Sequence, residues 1–157
     1  MAFEDKNKGK WNNTYNNYNA PSLPSGYLNN GYLTKDGKRD KRYIGEYAVQ
    51  IGKVLSADQN TGKSKIRSFF DTSLSIKSAV YNKAISEDEA MVQLMQLKNR
   101  VVDRESKGNA SKYFVEFISK NVDMVVSEDD KFRERIRHFC EHFEAVICHT
   151  ADKRSRK

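Results

Sequence analysis

From about residue 41 to residue 150, apolar side chains recur three and four positions apart with few turn residues between them, the pattern of helices that each bury one face. A first helix is predicted over Lys41 to Ser56, with Ile44, Tyr47, Ala48, Ile51 and Leu55 on its apolar stripe, and it stops at the polar turn DQNTG. A second opens near Ser64 and carries Ile66, Phe69, Phe70, Leu74 and Val80, with Tyr81 beside them. The third has the sharpest start, because Ser86 followed by Glu89 has capping-box spacing; its stripe is Ala90, Leu94, Leu97 and Val101. Gly108 and Asn109 supply the next turn, and a fourth helix carries Phe114, Phe117, Ile118, Val122 and Val125. Ser127 is expected to begin the last helix, with Glu128, Asp129 and Asp130 at its positive end and Phe132, Ile136, Phe139, Phe143 and Val146 buried. Five amphipathic helices with short connections and no alternating strand pattern predict an all-α bundle.

The pattern fails before residue 41. The stretch WNNTYNNYNAPSLPSGYLNNGYLTKDGK holds both prolines and is crowded with Asn, Gly and Ser, so residues 1–40 are expected to be a disordered tail, followed by a bundle over 41–150 and a basic tail over 151–157. Trp11, Tyr15, Tyr18, Tyr27 and Tyr32, interleaved with lysines, have the makings of stacking platforms for single-stranded RNA. The alternative is a flexible tail whose aromatics are incidental.

Composition refines this picture. The 157 residues fit one domain, and 28 Lys+Arg against 21 Asp+Glu give +7. Residues 1–42 contribute +4 and residues 151–157 contribute +3, which leaves the middle with 16 basic and 16 acidic residues. Anion binding by the bundle must therefore come from the placement of charge rather than its sum. No apolar run approaches the ~18–20 residues needed to span a bilayer, and the polar start lacks a secretory core, so a cytoplasmic protein is expected. Cys140 and Cys148 sit two turns apart on one predicted helix, ~12 Å at 1.5 Å per residue, too far to bridge.

Three motifs carry candidate chemistry. Gly62, Lys63 and Ser64 form the tail of a P-loop, but Ala57 occupies the place of the leading glycine and a helix precedes the turn, so a nucleotide cradle is not supported. A helix start rich in Ser and Lys still presents free amides and positive charge together, which suits a backbone phosphate and nominates Lys63, Lys65 and Arg67. On the third helix Arg100, Arg104 and Lys107 recur at i, i+4 and i+7, with Lys112 just past the turn. That row spans ~10 Å and suits successive phosphates of one strand, although Asp103 and Glu105 offer intrahelix ion pairs instead. The last helix holds His138, Glu141 and His142 in the H-x-x-E-H order of some zinc hydrolases, with Glu144 or His149 as the nearest third ligand. Against a metal stands the apolar stripe beside that face, which makes core or interhelix histidines the simpler reading. Cys140 borders the same stripe and reads as a small core hydrophobe.

The helices together resemble the small subunit of type III-A CRISPR effector complexes, the Csm-type small subunit. The likeness rests on GKSKIRSFFDTSLSIKSAVYN, on VQLMQLKNRVVDRESKGNASKYFVEFI and on FCEHFEAVICHTADK, in that order. It implies a non-catalytic helical bundle without cofactors, which stacks in several copies along a ribonucleoprotein in antiviral defence. Its partners would be guide RNA, target RNA, other subunits and further copies of itself. Its basic residues would hold the duplex backbone while base pairing supplies specificity. Carried over by position, the resemblance implicates Lys63, Lys65 and Arg67 on the second helix and Arg100 and Arg104 on the third, with Lys98 and Lys112 beside them. Two other classes compete: a protein-binding helical adaptor whose charge is incidental, and a metal-dependent hydrolase built on His138 and His142.

Overall fold

A computed structural model of the chain describes residues 20–127 and 130–150. Among them are a short strand β1 (Asn29–Tyr32), a 3-10 turn (Lys41–Tyr43) and five α-helices, α1 (Glu46–Ser56), α2 (Lys63–Tyr81), α3 (Glu87–Ser106), α4 (Lys112–Val125) and α5 (Phe132–Cys148). The all-α bundle expected from the periodicity is present. Helix α5 lies at its centre, packed on α1, α2 and α4 with β1 laid against it, while α3 packs on α2 and α4. None of the described helices is long and apolar enough to cross a membrane.

The core is aromatic. Phe69, Phe114, Phe117, Phe132, Phe139 and Phe143 are fully buried, and the stripes read from α3, α4 and α5 all face inward. Phe117 meets Phe143 edge to face at 5.2 Å between centroids, and Phe69 meets Phe114 likewise at 5.4 Å. Such edge-to-face pairs add ~0.5–1.5 kcal/mol each beyond the area they bury.

Helix starts follow their capping chemistry. The Ser86 hydroxyl accepts from the Glu89 amide at 3.0 Å, and Ser111 does the same for Phe114 at 3.1 Å. The Glu89 carboxylate accepts from Gln93 at 3.1 Å, so the cap is made from the serine side.

Four expectations are corrected. The first helix begins at Glu46, because Lys41–Tyr43 form a 3-10 turn and Gly45 breaks the chain direction; Ile44 falls out of phase and is exposed. On α2 Ser73 takes the buried position, its hydroxyl donating to the Phe69 carbonyl at 2.9 Å, and Leu74 turns outward. Ser127 does not begin α5, which starts at Phe132; its hydroxyl donates back to the Met124 carbonyl at 2.5 Å and closes α4 instead. Glu128 and Asp129 lie outside the described residues.

The fourth correction concerns residues 20–40, which composition assigns to a disordered tail. Tyr27, Leu28 and Tyr32 are buried in the main core. The Leu28 amide donates to the Tyr43 hydroxyl at 2.7 Å, and the Tyr32 hydroxyl donates to Asn121 Oδ1 at 2.7 Å. Gly31, at φ 64, lets the strand pass Met124 of α4, whose Sδ would lie 3.3 Å from a Cβ at this position. Trp11, Tyr15, Tyr18 and residues 151–157 lie outside the described residues.

Candidate nucleic-acid interface

One end of the bundle gathers the start of α2, the end of α3 and the start of α4. The turn entering α2 is built on Asp58, whose carboxylate accepts from the Asn60 and Thr61 amides at 3.0 and 3.1 Å and from the Thr61 hydroxyl at 2.7 Å. Thr61 Oγ1 in turn accepts from the Ser111 amide at 3.0 Å, which fastens the start of α4 to the turn before α2. Gly62 at φ 81 provides the left-handed corner, and no side chain caps α2. The first amides of α2 therefore point outward uncapped, beside Lys63 and Lys65.

Arg100 joins α3 to α2. Its guanidinium lies over the Phe69 ring at 5.4 Å and reaches the Thr72 hydroxyl at 3.4 Å. Lys65, Phe69 and Thr72 share a face of α2 at i, i+4 and i+7, so Lys65 stands one turn from this contact toward the α2 start. The two helices run antiparallel through a short turn, and Arg104, one turn beyond Arg100, comes level with that start. Arg104 Nε is buried without a hydrogen-bond partner, an uncompensated donor on a cation. Lys107 pairs with Asp103 at 3.0 Å, and Lys112 is exposed at the head of α4.

The seven nominated residues thus divide. Lys63, Lys65, Arg104 and Lys112 collect at one end, with Arg100 a turn along. Arg67 projects from another flank of α2, over the Phe70 ring at 5.7 Å and 3.7 Å from Asp71. Lys98 lies on the far side of α3, bound to Asp123 of α4 at 2.7 Å. The Asp58–Thr61–Ser111 clamp that assembles this end escapes sequence reasoning, since it joins residues 50 apart through a single hydroxyl.

The other candidate chemistries dissolve into the core. His142 is fully buried, its Nδ1 2.6 Å from the Tyr43 carbonyl oxygen and its Nε2 2.6 Å from the Tyr27 hydroxyl. A carbonyl only accepts, so Nδ1 holds the proton and Nε2 accepts from Tyr27. No lone pair is left for a metal. Burial pushes His142 down to about 4. Glu141 pairs with Arg39, and no group of three or more His, Cys, Asp or Glu side chains that could hold a metal occurs among the described residues. Cys140 is buried with its thiol 3.6 Å from the Ser73 carbonyl, and burial pushes that thiol up to about 12. The P-loop remnant follows α1 rather than a strand, as its sequence context implied.

A family model described as Csm2 Type III-A matches residues 38–153, taking in the 3-10 turn and all five helices. No curated protein and no solved structure matches the chain.

Proposed function

The chain belongs to the Csm2 type III-A family, small subunits of type III-A CRISPR complexes, and from that premise we propose that it is a non-catalytic, cytoplasmic subunit that holds RNA by its phosphate backbone. One observation carries this reading: Lys63, Lys65, Arg104 and Lys112 converge with the uncapped amides of α2 at one clamped end of an otherwise charge-balanced bundle. Oriented amides and clustered cations are what a row of phosphates requires. Cations and backbone amides hold phosphates rather than base edges, so binding tolerates sequence, and specificity falls to pairing between guide and target RNA. Further copies and other subunits of the complex extend the groove along the duplex, in the service of antiviral defence. The non-catalytic part of the reading rests on the family and fits the burial of His142 and Cys140 in the core.

The test is charge reversal at the clamped end. Arg100→Glu with Arg104→Glu should weaken RNA binding by ~10-fold or more, equally for unrelated sequences, and lower the slope of log affinity against log salt by ~2. Filter binding or anisotropy over a salt series measures both. Wild-type affinity and slope in the double variant, free and within the complex, would favour the protein-adaptor reading instead.

A further inference from the structure

The first turns of α5, the end of α4 and strand β1 enclose a cavity of about 300 Å³. It lies apart from the basic end, because Met124 in its wall stands twelve residues beyond Lys112 on α4, or ~18 Å along the axis. Its β1 wall, residues 29–33, also falls outside the stretch 38–153 that the family model matches. A cavity of ~150 Å³ takes one six-membered ring, and small-molecule sites begin at ~300 Å³.

One side chain in this cavity is left chemically incomplete. His138 is 8% exposed, and its Nε2 is buried without a hydrogen-bond partner among the described residues. Buried polar atoms are almost always satisfied, so an orphan that lines a cavity marks a place for a ligand atom. Tyr32 supports the imidazole edge to face at 6.1 Å between centroids. Burial, then Arg39 and Arg137, lower the His138 pKa, and Glu141 and Glu134 offset this only in part, so the ring is neutral near pH 7. The rest of the lining is mixed. Asn29 and Asn30 stand exposed on the β1 side, and on the α5 side Arg135 donates to Ser127 Oγ at 3.1 Å. Lys131 and Arg135 share the wall with Glu134, and Asp130 precedes them in sequence, so charge does not select a bare anion.

We propose that this cavity binds one purine base, presented by a free nucleoside or by an unpaired residue of RNA. A neutral imidazole nitrogen donates or accepts according to tautomer, and each asparagine amide does both. That set matches the neighbouring donors and acceptors along a purine edge, to which asparagine pairs through two atoms at once. The volume admits a fused two-ring system, whereas a single pyrimidine ring leaves part of the lining without contact. The site uses none of Lys63, Lys65, Arg100, Arg104 or Lys112, so it stands or falls independently of the phosphate reading.

Nitrogen-15 NMR of the imidazoles in the full chain decides it. Adenosine or guanosine, added up to ~5 mM, should move the His138 Nε2 resonance saturably and leave that of His142 in place, with uridine at least ~10-fold weaker. A pyrimidine oligonucleotide carrying one central adenosine supplies the second source. A saturable shift with the nucleoside alone assigns a small ligand, and one with the oligonucleotide alone assigns an RNA residue; either supports the site. Asn30→Ala, at an exposed position that leaves helical circular dichroism unchanged, should weaken binding ~3-fold or more. His138→Phe, which keeps a ring and loses the nitrogen, should abolish the heat of binding in calorimetry. No saturable shift with either source, an equal response to uridine, or wild-type affinity in both variants overturns the proposal. Arg100→Glu with Arg104→Glu should leave the nucleoside response unchanged, which keeps failure of the phosphate interface distinct from failure of this cavity.

Discussion

Tyr27 is the residue on which the buried polar network turns. Its hydroxyl donates to His142 Nε2 and accepts from Asn121 Nδ2 at 2.9 Å, while Asn121 also receives Tyr32. Tyr27→Phe keeps the ring and removes both bonds, leaving an imidazole acceptor and an amide donor buried and unpaired. Each such orphan costs ~1–3 kcal/mol, so urea denaturation should show a loss of ~2–4 kcal/mol with an unchanged slope. The same site sets a pH dependence. His142 in the folded chain stays neutral down to about 4, whereas its ordinary value is 6.5. As pH falls below 6.5 the unfolded chain takes up a proton that the folded one refuses, so this contribution is complete above 6.5 and is lost between 6.5 and 4. His138, lowered by burial and then by Arg39 and Arg137, acts in the same direction. Urea midpoints should drop across that window, and His142→Gln should flatten the drop.

At the scale of elements, what was legible in the sequence is what local periodicity encodes. Ala90, Leu94, Leu97 and Val101 on α3, and the five apolar positions of α5, were readable because each stripe lies within one helix. The start of α1 was not, because Ile44 fits a helical stripe until Gly45 interrupts it, and that break depends on backbone geometry rather than hydropathy. The packing of α1 on α5 shows the same limit. Gly52 sits mid-helix, where alanine would ordinarily help by ~1 kcal/mol. Here an added Cβ would meet His149 Cβ at 2.5 Å and the Val146 carbonyl oxygen at 2.8 Å. Gly52→Ala should therefore destabilise the chain, by ~1–3 kcal/mol of overpacking set against that helix preference, and lower the melting temperature seen by circular dichroism. Nothing in the window around Gly52 announces a neighbour 97 residues away.

Across the whole molecule, distance along the chain decides what composition can reveal. Residues 20–40 look like a solvated linker because their partners are far off: Tyr27 meets His142 at a separation of 115 residues and Tyr32 meets Asn121 at 89. The candidate interface was legible as residue types on two helices, yet its convergence depends on the antiparallel pairing of α2 with α3 and on Thr61 holding Ser111. Net charge misleads in the same way, since the +7 lies in the termini and the bundle is balanced. Two variants of identical net charge separate sum from placement. Arg100→Glu with Arg104→Glu removes charge beside the start of α2, whereas Lys83→Glu with Lys120→Glu removes as much from the far end of α2 and from the middle of α4, where both lysines are exposed. Binding governed by total charge would fall equally in both, because long-range attraction counts charges without regard to position. Contacts to individual phosphates release counterions only where a cation touches the backbone, so the first pair should lose affinity and salt slope while the second stays near wild type in both.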